Sequence, residues 1–432
     1  MILPPGDNNL FLFIIVTKFT KKPEVTLLKI KINRSLIAVF LLSICLIVVA
    51  ACGKNASESG ADEDGEKNKE TIKIGALLPS SGVYASLGGN LLKGMELYFE
   101  SVDWEVNGKK IEVISEDTEA DPQVALRKLR KLIDQDKIDI LTGPVSTAVA
   151  YAIRDEVDSK KIPFLVSHAG GNDLTRSERS DYIWRSSFSS WQIGNSMGQW
   201  AFDNVGDKVY LAAADYAFGH EASEAFKEAF EKAGGTIVDE VYPPLGNNDY
   251  APYLTKISGA DVDAVYGFFA GSDAIKFVQQ YEEYGLKGKI PLIGSGWLVA
   301  EDVRGEQGTS PEGIMTSIFW DYSLDTPENL EFVTAYEEKY NERPSIESLE
   351  GFDAARIMVE AITSLDGDLS DPDKVIGAVS QVEFISPRGP IKFDQETHHV
   401  IQNMYVVETE LIDGKTENKV IHTIEQVQDP GK

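Results

Sequence analysis

Two turns rich in small polar residues carry the chemistry that is easiest to read in this chain. Gly143-Pro144-Val145-Ser146-Thr147 precedes an apolar-periodic segment at 148–157, and Ser167-His168-Ala169-Gly170-Gly171-Asn172 follows an apolar run at 163–166. The hydroxyls of Ser146 and Thr147, the main-chain N–H groups of Ala169 and Gly170, and the positive end of a helix starting near Ala148 are donors suited to a small anion. The spacing reads strand, glycine turn, helix, strand, polar turn over residues 138–175. In such a βαβ unit both turns lie at the carboxyl edge of a parallel sheet, where ligands bind. Many such Ser-Thr pairs only cap a helix; two consecutive edges of this composition point to half of a small-molecule cleft.

Catalytic and metal chemistry is poorly supplied. The five histidines (His168, His220, His398, His399 and His422) are dispersed, with no His-Glu-x-x-His and no Gly-x-Ser-x-Gly. His398-His399, beside Glu396 in a late hairpin, reads as a solvated loop rather than a metal site. Gly294-Ser295-Gly296 is too short for a dinucleotide fingerprint, and there is no phosphate-binding loop. Both cysteines, Cys45 and Cys52, precede the body, which therefore has neither thiol nor disulfide. The expectation is a protein that is not an enzyme and uses no metal or cofactor. The net charge of −28 excludes a nucleic-acid backbone as partner.

These turns must be held by larger elements, and 432 residues suffice for two or three domains. Apolar runs at 72–78, 110–115, 138–141, 163–166, 182–187, 208–213, 236–242, 262–267, 290–293 and 314–319 read as strands. Helical periodicity separates most of them, at 91–102, 122–135, 148–157, 191–204, 218–233, 250–258 and 272–284. Three helices follow at 329–340, 350–364 and 373–379, then strands at 391–393 and 402–410. This alternation predicts an α/β fold with parallel sheets. The pattern restarts near Lys208, so the expected fold is two doubly wound parallel-sheet lobes joined by crossing hinge segments, with the ligand cleft between them. Residues 71–189 with 325–380 form the first lobe, and 190–324 with 381–425 the second.

Ahead of the body, Lys29, Lys31 and Arg34 form a basic region before the apolar stretch 35–49, which is short for a membrane span. Residues 1–51 thus read as a signal peptide, of which 1–28 need not be translated. Ala50-Ala51-Cys52 resembles a bacterial lipobox, which implies lipidation of Cys52 and cleavage just before it; a plain secretory signal or an uncleaved anchor is the alternative. Residues 52–70 hold no aromatic or large apolar side chain and are expected to be a disordered tether.

The body, from about Ile72 to about Thr423, resembles the type I periplasmic-binding-protein family in its leucine/isoleucine/valine-binding branch. The residues that carry the resemblance are Gly75-Ala76-Leu77-Leu78-Pro79-Ser80-Ser81-Gly82, Asp117 with Asp121-Pro122, and Gly143 to Thr147. Asp173-Leu174-Thr175, Asp215-Tyr216-Ala217-Phe218-Gly219 and Tyr284-Gly285-Leu286 extend it in order. Tyr-Ala-Phe-Gly-His, Tyr-Pro-Pro-Leu-Gly, Ser-Pro-Arg-Gly-Pro and Ile-Gln-Asn-Met-Tyr-Val-Val look most like members associated with aromatic-compound uptake. The resemblance implies a solute receptor for an ABC importer, with permease and ATPase subunits as partners. It also implies an extracytoplasmic location, lipid-anchored to the outer face of the bacterial cytoplasmic membrane.

By the same resemblance, Ser146 and Thr147 hold a ligand carboxylate, His168, Ala169 and Gly170 contribute main chain, and Phe218 with Tyr216 face the ligand from the second lobe. Tyr84, Trp191, Phe268, Phe269 and Trp297 lie near the expected cleft, and about half of these aromatics are expected to be core; the candidates retained are Tyr84, Phe269 and Trp297. Amino-acid binders of the branch carry an acidic residue after the strand at 290–293, where this chain has Gly294-Ser295-Gly296-Trp297 and no carboxylate. A buried ammonium without a partner costs several kcal/mol. The expected ligand is therefore a small organic carboxylate with an aromatic body. A branched-chain amino acid is the alternative, with Asp215, Asp273 or Glu350 as its acceptor. A ligand-sensing subunit of a membrane receptor and a lipid-anchored hydrolase are the remoter readings.

Overall fold

The computed structural model describes residues 9–18, 24–33, 70–177 and 179–431. The apolar leader segment, Cys52 and the tether up to residue 69 lie outside the described residues. Strands β1 (Asn9–Lys18) and β2 (Glu24–Asn33) pair antiparallel, with Asn9 opposite Asn33.

The body opens with β3 (Thr71–Leu78), α1 (Ala85–Ser101), β4 (Glu105–Val106), β5 (Lys109–Asp117), α2 (Pro122–Lys131), β6 (Ile140–Gly143), α3 (Thr147–Lys160), β7 (Phe164–Val166) and β8 (Ile183–Arg185). They form a sheet of order β4-β5-β3-β6-β7-β8, parallel except for the β4–β5 pair. Next come α4 (Ser190–Asn204), β9 (Lys208–Ala213), α5 (Ala217–Ala233), β10 (Thr236–Val241), α6 (Ala251–Ser258), β11 (Ala264–Phe268), α7 (Gly271–Glu283), β12 (Leu292–Ser295), α8 (Glu301–Gln307) and β13 (Met315–Ile318). The chain ends with α9 (Pro327–Tyr340), α10 (Ile346–Ser364), α11 (Pro372–Ser380), β14 (Phe384–Ser386), β15 (Gly389–Phe393), β16 (Val400–Ile412) and β17 (Lys415–Val427). The second sheet runs β10-β9-β11-β12-β13-β16-β15-β14, with β17 against β16; β10 to β13 are parallel and the late strands antiparallel. The fold is thus two doubly wound α/β lobes.

Strands β6, β7, β11 and β12 are buried at every residue, as expected of parallel strands covered by helices on both faces. The chain passes between the sheets after β8, after β13 and after α11. Helix α10, although it follows a strand of the second sheet, packs along α1 of the first. A Cβ on Gly351 would lie 2.0 Å from the Leu91 carbonyl oxygen, so only glycine permits this approach.

Sequence periodicity places the start of α10 at Glu350, four residues late. Ser345 caps it through a reciprocal bond with Ser348, and the first turn is buried. Helix α8 and strands β14 and β17 are absent from the sequence reading. β17 lies on one side of β16 and is largely exposed, so its alternation is too polar to announce a strand.

Candidate functional site

In the first sheet the strand order turns between β3 and β6, and in the second between β9 and β11. At such switch points the strand ends diverge and leave a crevice. One cavity is lined from both sheets: Tyr84 and Leu87 after β3, Val145 and Thr147 after β6, His168 and Gly170 after β7, Phe188 after β8. Tyr216 and Phe218 follow β9, Phe268 and Ala270 close β11, and Trp297 follows β12. Every lining residue therefore lies between the carboxyl end of a strand and the first turn of the helix that follows it.

Helix starts at this edge are left open. Asp121, Ser189, Thr326, Ser345 and Asp371 cap α2, α4, α9, α10 and α11 through their side chains. Ser146, Tyr216 and Ala270, at the starts of α3, α5 and α7, make no side-chain cap. Their first N–H groups are available to an anion, with the positive helix end behind them.

The apolar wall is a set of rings in mutual contact. Phe188 and Trp297 have centroids 4.6 Å apart, Phe218 and Phe268 4.5 Å, and Phe188 and Phe218 meet edge-on at 5.6 Å. Gly170 sits against this wall: a Cβ there would come within 2.5 Å of Phe188 and 2.6 Å of Phe218. Among the described residues no Asp, Glu, Lys or Arg lines the cavity.

Charge lies one layer back. His168 Nδ1 is 2.5 Å from Glu350 Oε2, and the Trp297 indole N–H donates to Glu347 at 3.0 Å. Burial holds the His168 imidazole down to about 4, so the ring is neutral, and pushes the Glu350 carboxyl well above the usual carboxylate range. Asp353, also raised by burial, lies 2.9 Å from Arg388 with both side chains fully enclosed.

Seven of the candidates, Tyr84, Thr147, His168, Gly170, Tyr216, Phe218 and Trp297, come together around the cavity. Three do not. Ser146 is buried at the start of α3 but off the lining. The Ala169 N–H is already spent on the Pro144 carbonyl at 3.0 Å. Phe269 turns away and stacks on Phe277 at 4.1 Å, because adjacent residues at a strand end face opposite sides; Phe268 takes the cavity side. Phe188, in a serine run after β8, is the lining ring that sequence reasoning missed. Trp191 also lies off the lining.

His398 and His399 are not solvated. His398 stacks on Trp184 at 3.9 Å, and His399 is enclosed between Arg185 and Gln192. None of the three proposed ammonium acceptors lines the cavity: Asp215 is exposed and pairs with His220, Asp273 accepts from the Gly246 N–H, and Glu350 is screened by His168. Among the described residues no group of three or more His, Cys, Asp or Glu is placed to hold a metal, and no helix is long and apolar enough to cross a membrane.

The sequence profile of the periplasmic binding proteins matches residues 71–416. The chain belongs to the periplasmic binding protein family. It is a substrate-binding protein of the ABC-transporter class, and the relatives of this family member are solute-binding proteins rather than enzymes. Leu/Ile/Val-binding protein homolog 6 of Brucella melitensis is 30% identical over 371 residues, 84% of this chain and 94% of the relative. A solute-binding protein of Rhodopseudomonas palustris BisB5, solved with 3,4-dihydroxybenzoic acid, is 35% identical with a TM-score of 0.80, covering 84% of this chain and 99% of its own. Another from R. palustris, solved with benzoate, is 31% identical with a TM-score of 0.79, covering 84% and 98%. A leucine-binding protein of Thermotoga maritima, 21% identical with a TM-score of 0.73 and covering 82% and 99%, shares the fold alone.

Proposed function

We propose that this periplasmic binding protein captures a small aromatic carboxylate between its two lobes and delivers it to the permease of an ABC importer. One observation carries the reading: the cavity is walled by aromatic rings and, among the described residues, no Asp, Glu, Lys or Arg lines it. A zwitterion would bury its ammonium without a partner, whereas a lone carboxylate needs only the donors at hand. Thr147, Gly170 and the open start of α3 supply hydroxyl and N–H groups, while Phe188, Phe218, Phe268 and Trp297 supply flat apolar surface. The aromatic acids in the R. palustris relatives support the same choice.

The two lobes, residues 71–189 with 325–380 and 190–324 with 381–425, close on the ligand as rigid bodies. Cys52 carries the lipid that anchors the protein at the outer face of the cytoplasmic membrane. Calorimetry with benzoate, 4-hydroxybenzoate and leucine tests the ligand class. Binding of an aromatic acid is expected; micromolar leucine binding with no response to either aromatic acid would overturn the reading.

A further inference from the structure

A cavity meant for an anion is backed here by acids. Helix α10 sets Glu347, Glu350 and Asp353 three residues apart on one buried face. Glu347 accepts from Trp297 and Ser345, and Asp302 of α8, whose carboxyl oxygens have no hydrogen-bond partner, lies near it. Three arginines face this group: Arg388, from the turn between β14 and β15, is engaged by Asp353, Arg356 also acts on Asp353, and Arg304 acts on Asp302. Between these charges and the ligand stands His168. Its Nδ1 meets Glu350 Oε2, and among the described residues its Nε2 makes no hydrogen bond and the buried Glu350 Oε1 has no partner.

The proton count of this pair decides what the ligand meets. With one proton, it sits on Nδ1 between ring and carboxylate. The pair is then a net anion, and Nε2 faces the cavity as an acceptor, which repels a carboxylate. With two protons the pair is neutral, and Nε2–H is a donor whether the second proton rests on Glu350 or on the ring.

Resting on the aromatic-acid reading above, we propose that Glu350 is a positioning residue. It keeps a proton on its pair with His168, so that Nε2–H donates to the ligand carboxylate and the anion is bound together with that proton. Solvent supplies the proton and recovers it on release. The enclosed setting of Glu350, which raises its carboxyl, agrees with this form. A raised acid holds the competent state at low pH and loses it as pH rises through its folded value, so affinity falls on the alkaline side.

Titration of the wild-type protein with benzoate from pH 7 to 10 tests the proposal, since benzoate itself stays ionised throughout. Affinity is expected to drop toward tenfold per pH unit at the alkaline end. Calorimetry there in two buffers of different ionisation heat should show about one proton taken up. Glu350→Gln, whose amide donates to Nδ1 and has no proton to lose, should bind near the wild-type level at neutral pH and keep a flat profile. His168→Leu should lose roughly 10- to 100-fold, the worth of a hydrogen bond to a charged group. A flat wild-type profile with no proton uptake overturns the proposal, as does a folded Glu350→Gln protein that falls with pH as the wild type does. Should that variant not fold, the wild-type uptake measurement decides alone. Benzoate binding without proton linkage overturns this inference only; absence of binding by any aromatic acid overturns the function reading with it.

Discussion

Glu221→Ala separates closing of the cleft from contact with the ligand. Glu221 stands on α5, behind the second sheet's edge, and does not line the cavity. Its Oε1 is 2.5 Å from the Tyr151 hydroxyl on α3, and its Oε2 accepts the Asn172 N–H at 2.6 Å. Both partners belong to the first lobe, so both bonds exist only while the lobes are together. Each is worth about 1 kcal/mol net, and more where the carboxylate is ionised, so removing both costs the closed form roughly 2 kcal/mol. At 1.4 kcal/mol per tenfold, the dissociation constant for benzoate should rise about 30-fold. The loss should appear in the dissociation rate, with association nearly unchanged, because the ligand's first contacts are untouched. Stopped-flow tryptophan fluorescence can follow both rates, and small-angle scattering should show a smaller radius for the liganded wild type. Tyr151→Phe, which removes one bond, should lose about 5-fold. A Glu221→Ala protein with wild-type affinity and dissociation rate would refute the assignment of these contacts as a closure latch.

Gly170→Ala places a methyl where Phe188 and Phe218 already stand, at 2.5 and 2.6 Å, so the rings must move into the cavity. Affinity for every ring-bearing acid should fall at least 10-fold while the melting temperature of the unliganded protein changes by a few degrees; unchanged affinity would contradict the placement of the wall. Cys52→Ser should release the protein from membranes or block its processing. Intact mass of the wild-type mature protein should show a lipidated Cys52, and an unmodified N-terminus elsewhere would refute the anchor.

Much of the architecture is legible because parallel strands buried on both faces are short apolar runs, and runs such as Leu292–Ser295 stand out between amphipathic helices. The turns that follow them are equally visible, which is why most of the candidate side chains meet. What the sequence hides is facing and depth. Phe268 and Phe269 are chemically the same, and only the register of β11 decides which one meets the cavity. Phe188 follows a three-residue strand in a run of serines, with no periodicity to mark it. Glu347, Glu350 and Asp353 look like the wet face of a helix. Trp297, His168 and Arg388, brought over them from distant turns, cover them instead, and that meeting is a property of segments far apart in the chain.

The ring wall has a consequence for how such a receptor can change its diet. Phe188, Phe218, Phe268 and Trp297 hang from four different strand ends, so any one of them can be exchanged without disturbing the sheets. The rings nonetheless lean on one another: Trp297 touches Phe188, Phe218 and Phe268, and Phe218 touches Phe188, Phe268 and Tyr216. Replacing one removes support from several, and substitutions in contact do not act additively. A drift toward a larger or differently shaped solute must therefore proceed through matched exchanges, in which the second restores what the first unsettled. Lineages that retain one of these rings are expected to retain its neighbours, and a new ligand preference should arrive in steps of two or three residues rather than one.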